Sequence, residues 1–213
     1  MVTRTRAQLP GGGRVLFPGH LVVALYGHPA TPGLGVLGHQ DLTASIARAR
    51  QVAAPYRKLS KVPVVPAFEI IATVAEASAG PDGDYSYATP VATLRPWIRR
   101  ATAAGMYVIL DLQPGRASLL AQARKLLVLH QFRLSMIRDE RALDTSHHDL
   151  AILVHMDGQG TPAAKQHTWT AVTRAAPAGV FFGWKDFYVK DHPMLDPRQT
   201  IARKPQLSMI SYQ

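Results

Sequence analysis

Short apolar runs rich in Val, Ile and Leu alternate along the chain with longer stretches in which apolar residues recur every three or four positions. Runs of the first kind read as strands and stretches of the second as amphipathic helices. Leu21–Tyr26 predicts a strand that runs into the breaker-rich loop Gly27–Gly35. Asp41 or Thr43 then caps a helix from about Leu42 to Leu59, with Ile46, Ala49, Ala53 and Tyr56 at helical spacing. Val62–Ile71 predicts the next strand. Thr89-Pro90 opens a helix that reaches about Ala104 and is closed by Gly105. Met106–Leu112 is nearly all apolar, as expected of a strand covered on both faces of a parallel sheet. Beyond it the pattern predicts a helix over Ala117–Lys125 and strands at Leu127–Phe132, Leu150–Met156, Val180–Trp184 and Leu207–Tyr212. A further helix is expected over Pro162–Ala175.

Strands alternating with helices imply βαβ units and a parallel sheet. Polar residues gather at the C-terminal ends of nearly every predicted strand, where barrel enzymes carry their chemistry, so the expected architecture is a (β/α) TIM-like barrel. The chain has 213 residues, short of the ~250 of a complete barrel, and the expectation is therefore a reduced or incomplete one. It forms a single domain over residues 20–213, after a poorly ordered segment at 1–19. Gly33-Leu-Gly35-Val-Leu-Gly38 has the spacing of a dinucleotide-binding fingerprint. It follows Pro29 and Pro32, however, and no acid closes a second strand some twenty positions on, so no such cofactor is expected. The passage from helix to strand at Lys125–Leu127 contains no Gly, Pro, Asn or Asp, which predicts a missing connecting segment there.

Composition narrows the function classes. Apolar residues make up 47% and charged residues 18%, which excludes a disordered chain. The absence of Cys excludes disulfides, thiolate metal sites and cysteine nucleophiles. Lys and Arg number 24 against 14 Asp and Glu, a net charge of +10. The bases fall at intervals expected of solvated helix faces and without interleaved aromatics, so nucleic acid is not an expected partner. The longest apolar runs fall well short of the ~20 residues of a membrane span, and the basic first residues are not followed by the apolar stretch of a signal peptide.

Two acids stand out. Glu69 is one of three Glu in the chain and lies within Ala67-Phe-Glu-Ile-Ile71. Alternation puts it on one face with Val65 and Ala67, and puts Asp111 on one face with Tyr107 and Ile109. Small residues on the inside of a barrel would leave Glu69 facing the lumen. Two carboxylates at one height on neighbouring strands suit the ~5–5.5 Å spacing of a retaining glycosidase. The competing reading makes each a structural acid paired with a base or a loop amide. Around this pair Tyr26 and His28, His130 and Gln131, and His155 and Asp157 end their respective strands. They are candidates for positioning substrate. Trp184 could stack on a sugar ring and Lys185 hydrogen-bond its hydroxyls, or the aromatics of this segment could be core anchors. No metal is expected, because no local ligand spacing supports one.

Several motifs together carry a resemblance. Tyr26-Gly-His-Pro-Ala-Thr-Pro-Gly-Leu-Gly-Val-Leu-Gly38, Val65-Pro-Ala-Phe-Glu69, Val108-Ile-Leu-Asp-Leu-Gln-Pro-Gly115, Leu129-His-Gln-Phe132, Met156-Asp-Gly-Gln-Gly160, Gly183-Trp-Lys-Asp-Phe-Tyr188 and Ser211-Tyr-Gln213 are the residues involved. From His20 onward the chain resembles an uncharacterised actinobacterial family of envelope-associated, lipoprotein-like proteins with a TIM-barrel domain similar to glycoside hydrolases. The resemblance implies an extracytoplasmic or envelope location and a carbohydrate or cell-wall polymer as ligand. It also implies two departures in this chain: no export or lipid-attachment segment before the first strand, and no acidic stretch between Lys125 and Leu127. The expected function is a glycosidase-like protein with Glu69 and Asp111 as its carboxylate pair. The alternative is a non-catalytic carbohydrate- or cell-wall-binding protein, inactive because of the absent stretch.

Overall fold

A computed structural model describes residues 2–6, 20–27, 42–73, 89–112, 119–139, 149–155, 180–187 and 209–212. At its centre four strands lie parallel in the order β2 (Leu21–Gly27), β3 (Val64–Thr73), β5 (Tyr107–Leu112) and β6 (Leu150–His155). Helices α1 (Leu42–Arg57), α2 (Val91–Ala103) and α3 (Leu119–Asp139) connect them in sequence. The fold is α/β.

The register separates the strands into two faces. Leu25, Phe68, Ile70, Val108, Leu110, Leu150 and Ile152 pack together with the apolar stripes of the three helices. On the other face Val22, Ala24, Ala67, Tyr107, Ile109, Ala151 and Leu153 form a second cluster with Met209. Both faces are thus covered, which is why β5 is buried along its whole length and reads as an unbroken apolar run.

Local chemistry fixes the element ends. Gly105 has a φ of 76° and receives α2: Met106 N–H donates to Ala101 O at 3.1 Å and Gly105 N–H to Thr102 O at 2.8 Å. This paired capping satisfies two carbonyls that the helix end would orphan, and buried Met106 joins Ala101 in the core. Trp97 of α2 meets Phe68 of β3 edge-on at 4.7 Å.

Pairing extends on both flanks. β7 (Val180–Phe187) runs parallel to β6, and β8 (Met209–Tyr212) parallel to β2. β1 (Val2–Arg6) lies antiparallel between β7 and β8, with Thr3 opposite both Phe187 and Ser211. The order β2-β8-β1-β7-β6-β5-β3 returns to β2 through the β2–β3 ladder, and the two-residue β4 (Thr89–Pro90) joins the end of β3. One expectation changes here. The strand at residues 2–6 is antiparallel to its neighbours in a sheet expected to be uniformly parallel.

A second correction concerns α3. Leu127–Phe132, expected as a strand, is the middle of one helix that runs from Leu119 to Asp139. Leu126, Leu129, Arg133 and Met136 line its buried side, while Leu127, Val128 and Leu134 are exposed. A three- and four-residue stripe decides the outcome over a run of Leu and Val, and no junction remains to require a missing turn. The argument for a lost segment from helix chemistry therefore loses its premise. The helix expected at Pro162–Ala175 lies outside the described residues.

Candidate functional site

Glu69 and Asp111 are both fully buried, with no solvent exposure, on adjacent parallel strands: Asp111 stands one position before the end of β5 and Glu69 in the middle of β3. Glu69 pairs with Ile109 and Asp111 with Ile71, so both acids occupy the face that carries Ala67, Tyr107 and Ile109. The shared face agrees with alternation along each strand. The heights differ. Asp111 stands two register positions beyond Glu69, which places their backbone anchors about 8 Å apart, given ~4.8 Å between strands and ~3.3 Å of rise per residue. Each residue is engaged by other groups, while Oε1 of Glu69 and Oδ1 of Asp111 make no hydrogen bond.

The same stagger continues across the sheet. Asp111 is opposite Leu153, and His155 comes two positions later. His155 is opposite Gly183, and Lys185 comes two positions later. Glu69, Asp111, His155 and Lys185 therefore mark a diagonal over β3, β5, β6 and β7. On β2, Tyr26 is the register partner of Glu69. Below this level Ala24, Ala67 and Ala151 supply small side chains, and Tyr107 closes the N-terminal side with His20 edge-on at 6.4 Å.

Other candidates fall elsewhere. Trp184 occupies the alternate register position to Gly183 and Lys185, on the face opposite to that of Glu69 and Asp111. His130 and Gln131 do not end a strand; they lie mid-way along α3, in the outer layer. Gln131 is exposed and His130 half-buried. Burial first, and the nearby Arg133 cation second, lower the His130 pKa from its ordinary 6.5, and its Nδ1 makes no hydrogen bond. His28 and Asp157 lie outside the described residues. Among the described residues no three His, Asp or Glu side chains come together as a metal-binding group.

Two cations expected on solvated helix faces are instead buried. Arg133 is 5% exposed and its Nε donates to Leu150 O at the start of β6, and Lys125 is 7% exposed. Burial lowers the Arg133 pKa below its ordinary value. The i, i+4 spacing of Arg133 from Leu129 signals this placement once the segment is read as a helix. No family model matches the chain, and neither a curated protein nor a solved structure shows similarity to it.

Proposed function

We propose that the protein is a carbohydrate-active hydrolase of glycosidase type, built on a reduced (β/α) barrel, with Glu69 and Asp111 as its paired carboxyls. One observation carries the reading: two fully buried acids on one face of neighbouring parallel strands, with Asp111 next to the C-terminal end of β5, the side where α/β enzymes hold their chemistry. Burying an ionised carboxylate in an apolar layer costs several kcal/mol, and a second beside it compounds the cost. Such a pair is retained most readily where it has chemistry to perform.

Glycoside cleavage assigns the two groups distinct roles. One carboxyl is protonated and donates to the departing glycosidic oxygen, while the other, ionised, directs water to the anomeric carbon or attacks it. With backbone anchors ~8 Å apart, the separation of the carboxyl groups themselves decides between a retaining pair at ~5–5.5 Å and an inverting pair at ~6.5–9.5 Å. His155 and Lys185, on the same diagonal, are the candidates for binding hydroxyls. Action on a cell-wall polymer at the envelope is part of this reading and is supported by the family resemblance alone.

The test is hydrolysis of a panel of unactivated oligosaccharides by the parent chain, Glu69→Gln and Asp111→Asn, with oligosaccharide binding followed by calorimetry. Loss of turnover by at least a hundredfold in each variant, with binding kept, is the expected result. Binding without hydrolysis in the parent chain identifies the non-catalytic alternative. Absence of both overturns the proposal.

A further inference from the structure

The charge on the outer layer is not used by the carboxylate site. Across α1, α2, α3 and the described turns after α1 and α2, nine Lys and Arg side chains are exposed, and Asp139 is the one exposed acid. Parallel connectivity brings the C-terminal ends of all three helices to the edge where the strands begin. Arg57, Lys58 and Lys61 lie at the end of α1 and in the turn after it, Arg99 and Arg100 in α2, and Arg138 in the last turn of α3. Cations in a last helical turn offset the helix dipole, but that effect fades within one turn and gives no reason for Lys61. None of Arg57, Lys58, Lys61 and Arg100 is in an ion pair among the described residues. Val62, next to Lys61, is 41% exposed at the same edge.

We propose that this edge is a docking surface for an anionic phospholipid bilayer. The cations are spread over the ends of three adjacent helices, which presents a broad front and not a groove shaped to one polymer strand. The exposed apolar Val62 among them gains by entering the acyl boundary and gains nothing against a phosphodiester backbone. No described helix is long and apolar enough to cross a membrane, so attachment is peripheral. Docked this way, the strand C-terminal ends point away from the bilayer, with Glu69 about 17 Å along β3 from Val64.

Co-sedimentation of the full chain with phosphatidylglycerol and phosphatidylcholine vesicles tests the proposal. Binding is expected to phosphatidylglycerol only, in ~0.1 M salt, and to be lost in ~1 M salt, where the screening length falls from ~10 Å to ~3 Å. A cation at such a surface contributes about 1 kcal/mol, so Lys58→Gln/Lys61→Gln lowers the partition coefficient about 30-fold. Arg48→Gln/Arg124→Gln removes the same net charge away from this edge and is expected to lower it less than threefold. Equal losses in the two variants, no binding to phosphatidylglycerol, or tighter binding to duplex DNA than to these vesicles would each overturn it.

Discussion

Gln131→Pro tests the continuity of α3 and the removal of this residue from the candidate site. Gln131 is the thirteenth of 21 residues in the helix and its side chain is exposed, so substitution there forfeits little packing. Proline at this position lacks the N–H that bonds Leu127 O, and its ring meets that same carbonyl. The cost in a helix interior is about 3 kcal/mol or more. A domain of this size shifts its melting temperature about 2–4 °C per kcal/mol, which gives a fall of roughly 6–12 °C. Gln131→Ala, which keeps the helix, is expected to stay within ~0.5 kcal/mol of the parent. Urea titrations followed by far-ultraviolet circular dichroism measure both. If Gln131→Pro and Gln131→Ala unfold within ~1 kcal/mol of each other, residues 127–132 are not helix interior. If Gln131→Ala alone abolishes oligosaccharide binding, its outer-layer placement is wrong.

Three further outcomes follow from the described contacts. His130 has a folded pKa below its ordinary 6.5, so the unfolded chain binds more protons in this range. The stability it contributes is present above pH ~6.5 and lost as pH falls through the folded value; His130→Gln should flatten that slope in denaturation curves taken between pH 7 and 5. Arg95 donates to Ser135 Oγ at 2.7 Å, pairs with Asp139 at 3.0 Å and lies 5.6 Å from the Phe132 ring centroid. With the ion pair discounted for exposure, Arg95→Leu should cost about 1–2 kcal/mol, and a cycle with Phe132→Leu should return about 0.5–1 kcal/mol of coupling. At Gly105 an added Cβ meets nothing within 4 Å, so Gly105→Ala carries only the positive-φ cost of about 1–2 kcal/mol, and Gly105→Asn less; equal stability of parent and Ala variant would contradict that backbone assignment.

The central parallel strands, two of the helices and the cap were legible because local pattern and tertiary environment agree there. Leu21–Tyr26, Met106–Leu112 and Leu150–Met156 combine β-branched composition with length limits that fit a strand, and Gly105 marks a stop that only its backbone freedom permits. Leu127–Phe132 misled because Leu-Val-Leu is apolar enough for either state. Burial of Leu126, Leu129, Arg133 and Met136 against neighbouring elements settled it, and those neighbours are far away in sequence. The carboxylate face was legible from period-two alternation. The two-position stagger was not, since register depends on pairing between strands and not on either strand alone. β1 was invisible for a related reason: Val-Thr-Arg-Thr-Arg carries no apolar run, and its strand form depends on two partners near the other end of the chain.

That last pairing bears on how the protein assembles. Val2 pairs with Tyr212 and Thr3 with Phe187, so β1 waits for partners that are synthesised long after it. The contacts among β2, α1, β3, α2 and β5 are far more local and can form while synthesis continues. Contacts of such long sequence separation carry a large loop-closure cost and slow the step that depends on them. Insertion of β1 is therefore the expected late event of folding, and until it occurs β7 and β8 each present an unpaired edge to other chains.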